Sequence, residues 1–372
     1  MDKDHIGRRE YLIAVGTTGL TALAGCSGQD TGSENSSNEG TDTTGEDTTS
    51  ATITKQWSFQ TGSSVRSSPT VVDGTVYVGS RDNNVYALSA VDGTEKWSFD
   101  TGGEVYSSPA VVEDTVYVGS WSNTVYALSR TDGTEKWSFN TKNSVDTSLA
   151  VSDATVYFGT RFGQVHALNA SNGTQEWKFK TGRSTVDSSP SIVNNTVYFG
   201  SYDNNVYALS ATDGTKEWSF ETGSSVISSP EVVDGTVYIG SYDNNVYALS
   251  AADGTKEWSF ETGNFVESSP AVKDGTVYVG SWDNNVYALS AADGTEEWSF
   301  ETRGSVRSSP AVLDGTVYIG SDGGNAYALN ESDGTETWSF ETGYEIRLSP
   351  AVVDNTVYVG SNDGNIYALT EE

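Results

Sequence analysis

The sequence predicts an all-β fold: an eight-bladed β-propeller of four-stranded antiparallel blades. Three observations carry that reading. A segment ending in Trp-Ser-Phe (once Trp-Lys-Phe) recurs eight times, at Trp57, Trp97, Trp137, Trp177, Trp218, Trp258, Trp298 and Trp338. These tryptophans stand 40 residues apart, with a single interval of 41 between Trp177 and Trp218; a fixed period of this length marks a repeat architecture. The two ends of the array are complementary. Thr54 to Gln60 offers a lone last strand, whereas Leu348 to Leu369 offers the first three strands and then stops.

Each interval holds four short runs rich in Val, Tyr, Ile, Phe and Trp, separated by Asp-Gly, Asn-Asn and Thr-Gly. β-Branched and aromatic residues suit a pleated strand, and Gly, Asn and Asp tolerate the positive φ of tight turns. Strand A reads Ser-Ser-Pro-Ala-Val-Val, strand B Thr-Val-Tyr-Val-Gly-Ser, strand C Asn-Val-Tyr-Ala-Leu-Ser and strand D Trp-Ser-Phe. Residues Thr276 to Gly280 alternate with the two-residue period of a strand, and no stretch keeps helical spacing. One such sheet cannot bury both faces, so copies must stack. A ring in which the N-terminal strand completes the last blade leaves no open end.

The C–D connection varies little, as in Ala248-Leu249-Ser250-Ala251-Ala252-Asp253-Gly254-Thr255-Lys256-Glu257-Trp258. With Ala first, Gly seventh and Trp eleventh, it resembles the tryptophan-docking repeat of pyrroloquinoline-quinone (PQQ)-type propellers. The resemblance covers residues 53–370. Ser or Asn at the third place and Asp or Asn at the sixth depart from the family's Asp and Thr. The resemblance implies that the eight tryptophans wedge between neighbouring blades as structural docking residues.

Three segments follow along the chain. Residues 1–26 read as a signal peptide: Arg8 and Arg9 precede the apolar run Leu12 to Ala24, which is too short to span a bilayer. Paired arginines point to the twin-arginine export route. Leu23-Ala24-Gly25-Cys26 looks like a lipoprotein cleavage box, with Cys26, the sole cysteine, as the lipidated residue. Residues 27–52, rich in Ser, Thr, Gly, Asp and Glu and free of aromatics, read as a flexible acidic linker. Residues 53–372 are the propeller. Export and a lipid on Cys26 place it on the outer face of the cytoplasmic membrane, at the cell surface, as a monomer.

The net charge of −31 comes from 20 Lys plus Arg against 51 Asp plus Glu. Nucleic-acid binding is disfavoured, since phosphates call for a basic face. Acids recurring at equivalent turns fit a protein adapted to high salt, where the Debye length falls to about 3 Å at 1 M, and point to a salt-adapted archaeon. Dialysis into dilute buffer is expected to abolish the folded circular-dichroism signal; full retention of that signal would contradict the adaptation.

Catalytic chemistry finds little support. His5 lies in the signal segment, and His166 takes the place of a strand C tyrosine such as Tyr126, Tyr207 or Tyr247, with no nucleophile partner in view. Asp203-Asn204-Asn205 and Asp243-Asn244-Asn245 lack a regular calcium loop and its closing glutamate, and read as hairpin turns. No metal site is expected. Quinone-dependent dehydrogenases share such blades but add a calcium ligand set and, often, adjacent cysteines. The smaller non-catalytic members (BamB-like lipoproteins) are more similar overall. The resemblance therefore implies a binding protein without cofactor, with PQQ not expected.

Differences among the eight copies locate a working face. D–A and B–C connections share one side of a propeller, and A–B and C–D the other. The A–B and C–D turns barely differ. The D–A and B–C loops carry Arg66, Arg81, Tyr106, Trp121, Arg161, Tyr202, Tyr242, Trp282, Arg307 and Arg347, residue types typical of binding hot spots. Their place is expected at the mouth of the central channel. Arginines in the first, seventh and eighth blades suggest an anionic feature in the ligand. The third blade departs most, with Leu149 where Pro is usual and with Arg161, Lys178, Lys180 and Arg183, and is a candidate second contact. The expectation is a membrane-tethered scaffold that binds a protein, peptide or glycan through this face. A quinone-dependent redox enzyme or sensor and a purely architectural envelope module are the competing readings.

Overall fold

A computed structural model describes residues 52–371 except Arg183. The signal segment, Cys26 and the linker up to Ala51 lie outside the described residues.

Thirty-two strands form eight four-stranded antiparallel sheets. Blade 1 comprises strand A (Thr70–Val72), B (Thr75–Gly79), C (Asn84–Ser89) and D (Glu95–Asp100). Blades 2 to 7 repeat it at 110–140, 150–180, 191–221, 231–261, 271–301 and 311–341. Blade 8 has Ala351–Val353, Thr356–Gly360 and Asn365–Glu371, and its outermost strand is Ile53–Gln60. That strand pairs with Asn365–Glu371 from Ile53↔Glu371 to Gln60↔Asn365, so the ring closes through the N-terminal strand.

Local chemistry explains each turn. In the A–B hairpin of blade 1, Asp73 and Gly74 both have positive φ (46° and 67°), the geometry of a type I′ turn that favours Asp-Gly. In the C–D turn, Asp92 Oδ1 accepts from Thr94 N (3.2 Å) and Thr94 Oγ1 (2.8 Å), which holds its carboxyl below the ordinary carboxylate range. The same bonds recur at Asp132, Asp213, Asp253, Asp293 and Asp333. Acid at this position therefore has a local structural cause besides any adaptation to salt.

Packing between blades rests on the tryptophans. Trp57 Nε1 donates to Ala90 O in the next blade at 2.9 Å, and six others, from Trp97 to Trp298, donate to the equivalent carbonyl at 2.8–3.0 Å. These seven indoles each lie on the next blade's C–D glycine; a Cβ on Gly93 would sit 2.6 Å from Trp57. Trp338 is as buried, but its Nε1 has no hydrogen-bond partner among the described residues.

A serine belt lines the axis. Ser68 N donates to Ser108 Oγ at 3.0 Å, and equivalent links run from blade to blade through Ser269 N to Ser309 Oγ. Ser349 N to Ser68 Oγ (3.1 Å) joins the last blade to the first. The preceding Ser67 Oγ accepts from Gly79 N, a role that Thr147 takes over in blade 3. Inside the belt, strand A of all eight blades encloses a channel of about 1070 Å³.

Asp-Asn-Asn is a clasp. Asp82 Oδ2 accepts from Gly62 N in the D–A loop and from Tyr86 OH, both at 2.7 Å, while Oδ1 accepts from Asn84 N at 2.9 Å. Asp243 and Asp283 repeat all three bonds. His166, in blade 3, stacks on Phe158 (5.1 Å, 5°), and Nδ1 lies 3.2 Å from Gln175 Oε1. Burial lowers its pKa to about 4, so it is neutral.

Candidate functional site: the channel mouth

The D–A and B–C loops are tied together by main-chain bonds such as Arg81 N to Ser64 O (3.0 Å) and Val105 N to Ser80 O (3.1 Å). This brings the variable side chains onto one rim. Arg66, Tyr106 and Arg347 line the channel itself; Arg81, Trp121, Arg161, Tyr242, Trp282 and Arg307 join them through contacts that cross from blade to blade, whereas Tyr202 lies by Asp187 of its own blade.

One arc, over blades 7, 8 and 1, is a chain of charges. Arg307 Nε and Arg347 Nε each donate at 3.0 Å to a separate oxygen of Asp322. Arg347 Nη2 lies 3.7 Å from Glu345, Glu345 accepts from Asn362 Nδ2 (3.1 Å), and Asn362 Oδ1 accepts from Arg66 Nε (3.1 Å). Arg66 has no ion pair among the described residues; burial first, then Arg347, lowers its pKa.

A second arc, over blades 1 to 3, is a column of stacked groups. Arg81 holds Glu104 through Nε (3.0 Å) and Nη2 (3.2 Å), and Tyr106 OH donates to the same carboxylate (2.8 Å). Arg81 lies 5.9 Å from the Tyr106 ring, Tyr106 stacks on Trp121 at 4.7 Å, and Arg161 sits 4.4 Å over Trp121 while pairing with Asp146 at 2.9 Å. Arg81 holds Glu104 well below the usual carboxylate range.

The third arc, over blades 4 to 6, is acidic and aromatic. Tyr242 donates to Glu267 (2.8 Å) and stacks on Phe265 (4.7 Å), beside Trp282, over which Arg307 lies at 3.7 Å. Asp187, near Tyr202, is raised to about 6 by burial and then by Asp146, with Tyr202 and Arg161 opposing. Its folded pKa exceeds the unfolded value of about 3.9, so protonated Asp187 favours the fold at low pH and the advantage fades as pH rises through about 6. Asp187→Asn is accordingly expected to stabilise the chain by about 3 kcal/mol at pH 8 and by nothing at pH 3.5. Urea titrations of both proteins at the two pH values check it.

The arginines do not present free positive charge: Arg81, Arg161, Arg307 and Arg347 are each bound by a carboxylate. Of the five arginines named from the sequence in blades 1, 3, 7 and 8, Arg66 is the one without an ion pair among the described residues. Trp121 and Trp282 carry an arginine on the ring and are parts of the rim's framework rather than open platforms.

Of the exposed set, sequence reading named Tyr202 and missed Phe162, Phe265 and Tyr344. Phe162 (61%), Tyr202 (38%), Phe265 (36%) and Tyr344 (63%) are the large apolar or aromatic residues open on this face; Val91 (86%) is the single one elsewhere among the described residues. Glu104, Phe265 and Glu345 occupy a D–A position that holds Ser or Thr in the other blades, and that departure was the signal available.

The sequence matches the family described as outer membrane protein assembly factor BamB over residues 47–147, 122–226, 193–265 and 246–372. Among solved structures, BamB from Moraxella catarrhalis is similar, at 20% identity and TM-score 0.74 over 86% of this chain and 98% of that one. The computationally designed Ika8 protein gives TM-score 0.77 at 19% identity, over 84% and 98%. A quinohemoprotein alcohol dehydrogenase from Pseudomonas putida gives 0.74 at 15% identity, over 86% and 76%. At these identities the likeness shows the fold. No curated protein matches the sequence closely enough to count as a relative.

Proposed function

We propose that this chain, which belongs to the family described as outer membrane protein assembly factor BamB, is a non-catalytic binding propeller, exported and tethered by a lipid on Cys26. It recognises a partner protein through the D–A/B–C face. One observation carries the reading: among the described residues, four of the five exposed large apolar or aromatic side chains lie on that face, in loops that differ between blades, while the opposite turns are nearly uniform. Exposed apolar clusters rimmed by polar groups mark interaction surfaces. The family's description as an assembly factor supports protein rather than glycan as the partner.

The mouth does not fit a calcium-bound quinone. No three of the described His, Cys, Asp and Glu residues group as metal ligands, and Arg81, Arg161, Arg307 and Arg347 are engaged by carboxylates. Incubation with PQQ and calcium should leave no retained chromophore after desalting; a retained one would favour the redox reading.

The binding role is tested by affinity purification from detergent-solubilised native membranes, comparing wild type with the Tyr202→Ala, Phe265→Ala, Tyr344→Ala variant. Loss of a stoichiometric co-purifying protein supports the face. Unchanged recovery of that protein counts against it, and absence of any such protein from the wild type favours an architectural module.

A further inference from the structure

Blade 3 breaks its own template at one corner. Where blades 1, 4, 5, 6 and 8 carry the clasp aspartate (Asp82, Asp203, Asp243, Asp283, Asp363), blade 3 has Phe162, 61% exposed. The clasp's tyrosine partner is His166 here, turned into the blade against Phe158. Lys178 stands where seven strands have serine, and Lys180 where the others have Glu, Asp, Asn or Gln. Lys142 occupies the place of Gly62, Gly102 and Gly223.

The fold gathers these substitutions. Lys178 pairs with His166 and Lys180 with Gln164 across the strands, and Thr181 N donates to Gly163 O (2.9 Å), beside Phe162. The loop carrying Lys142 is held to the Phe162 loop by Arg161 N to Ser144 O (3.2 Å). Lys142, Lys178 and Lys180 are exposed and make no ion pair among the described residues.

We propose that this corner of blade 3 is a second docking surface, separate from the channel mouth, for an acidic protein segment that carries an apolar side chain to cover Phe162. Charge complementarity selects the occupant. In a chain of net charge −31, three unpaired lysines around an exposed phenylalanine form a local island of opposite sign. Direct Lys–carboxylate contacts combined with apolar burial retain value where longer-range attraction is screened. Replacement of a clasp aspartate by phenylalanine gives up three hydrogen bonds and exposes a ring, a change that covering the ring would compensate.

The test uses a variant that the fold already accepts. Phe162→Asp, His166→Tyr, Lys178→Ser and Lys180→Glu together write the blade 4 residues Asp203, Tyr207, Ser219 and Glu221 into blade 3, and a melt no lower than wild type shows that the blade is intact. Fluorescence anisotropy with a labelled Glu-Leu repeat peptide, and with a Lys-Leu control, reads the affinity in salt at which the chain is folded. Wild type is expected to bind the Glu-Leu peptide at least tenfold tighter than the control, and the variant to lose that margin. The Tyr202→Ala, Phe265→Ala, Tyr344→Ala protein should retain it, which separates this surface from the mouth. Equal binding by wild type and the blade 3 variant, preference for the Lys-Leu peptide, or binding only to phosphatidylglycerol vesicles would overturn the proposal.

Discussion

A chain beginning at Thr61 is expected to show no cooperative thermal transition, whereas one beginning at Ile53 should melt like the full-length protein. The deletion removes the outer strand of blade 8, leaving strand C (Asn365–Glu371) as an open edge. It also removes Trp57, whose ring lies 5.9 Å from Tyr358 and whose Nε1 reaches Ala90 O in blade 1. Loss of that buried indole alone costs about 3–5 kcal/mol, and Ile366 and Ala368, buried in the same cluster, lose cover. Against a total stability on the order of 5–15 kcal/mol, the sum is enough to unfold the ring. Differential scanning calorimetry of the two truncations decides it. Matching transitions would mean that the seam contributes little.

The second large effect concerns the tryptophans within the array. Trp258→Ala is expected to cost about 3–5 kcal/mol. The side chain is 8% exposed, packs at 5.8 Å from Tyr238 and lies on Gly294, and its Nε1 donates to Ala291 O at 2.9 Å. Phenylalanine replacements separate packing from hydrogen bonding. Trp258→Phe removes one of two donors to Ala291 O, leaving Tyr238 OH at 3.4 Å, and should cost about 0.5–1.5 kcal/mol more than Trp338→Phe, because the Trp338 Nε1 has no partner to lose among the described residues. Gly294→Ala tests the same joint from the other side. Its φ of 73° already disfavours a side chain by about 1–2 kcal/mol, and the added Cβ would lie 2.6 Å from the indole. Urea melts of the four variants give the order. A Trp258→Ala midpoint equal to wild type would remove the docking role.

The ring was legible before any coordinates because periodicity is a property of sequence alone. A count of tryptophans gives the blades, and the unmatched strands at Thr54–Gln60 and Leu348–Leu369 give the closure. The gathering of the variable D–A and B–C loops on one rim was legible for the same reason, since loops at equivalent positions could be compared within one chain. Pairing was not. Whether Arg347 meets solvent or Asp322 depends on a neighbouring blade's loop, and the distance is set by blade spacing and rotamer rather than by composition. Exposure was equally hidden: Trp121 and Phe162 are both large aromatics in B–C loops, yet one lies beneath Arg161 and the other is open. Serine in strand A looked like a strand residue and proved to be both belt and bracket, through hydrogen bonds that reach the next blade.

Site-specific photocrosslinking in native membranes tests the binding face most directly. A benzophenone side chain placed singly at Tyr202, Phe265 or Val91 samples the two sides of the ring with positions already exposed. The expected result is a discrete adduct of the same mass from Tyr202 and Phe265 and none from Val91. Adducts from Val91 alone, or none from either loop position in membranes where the protein is present and folded, would contradict recognition through the channel-mouth face.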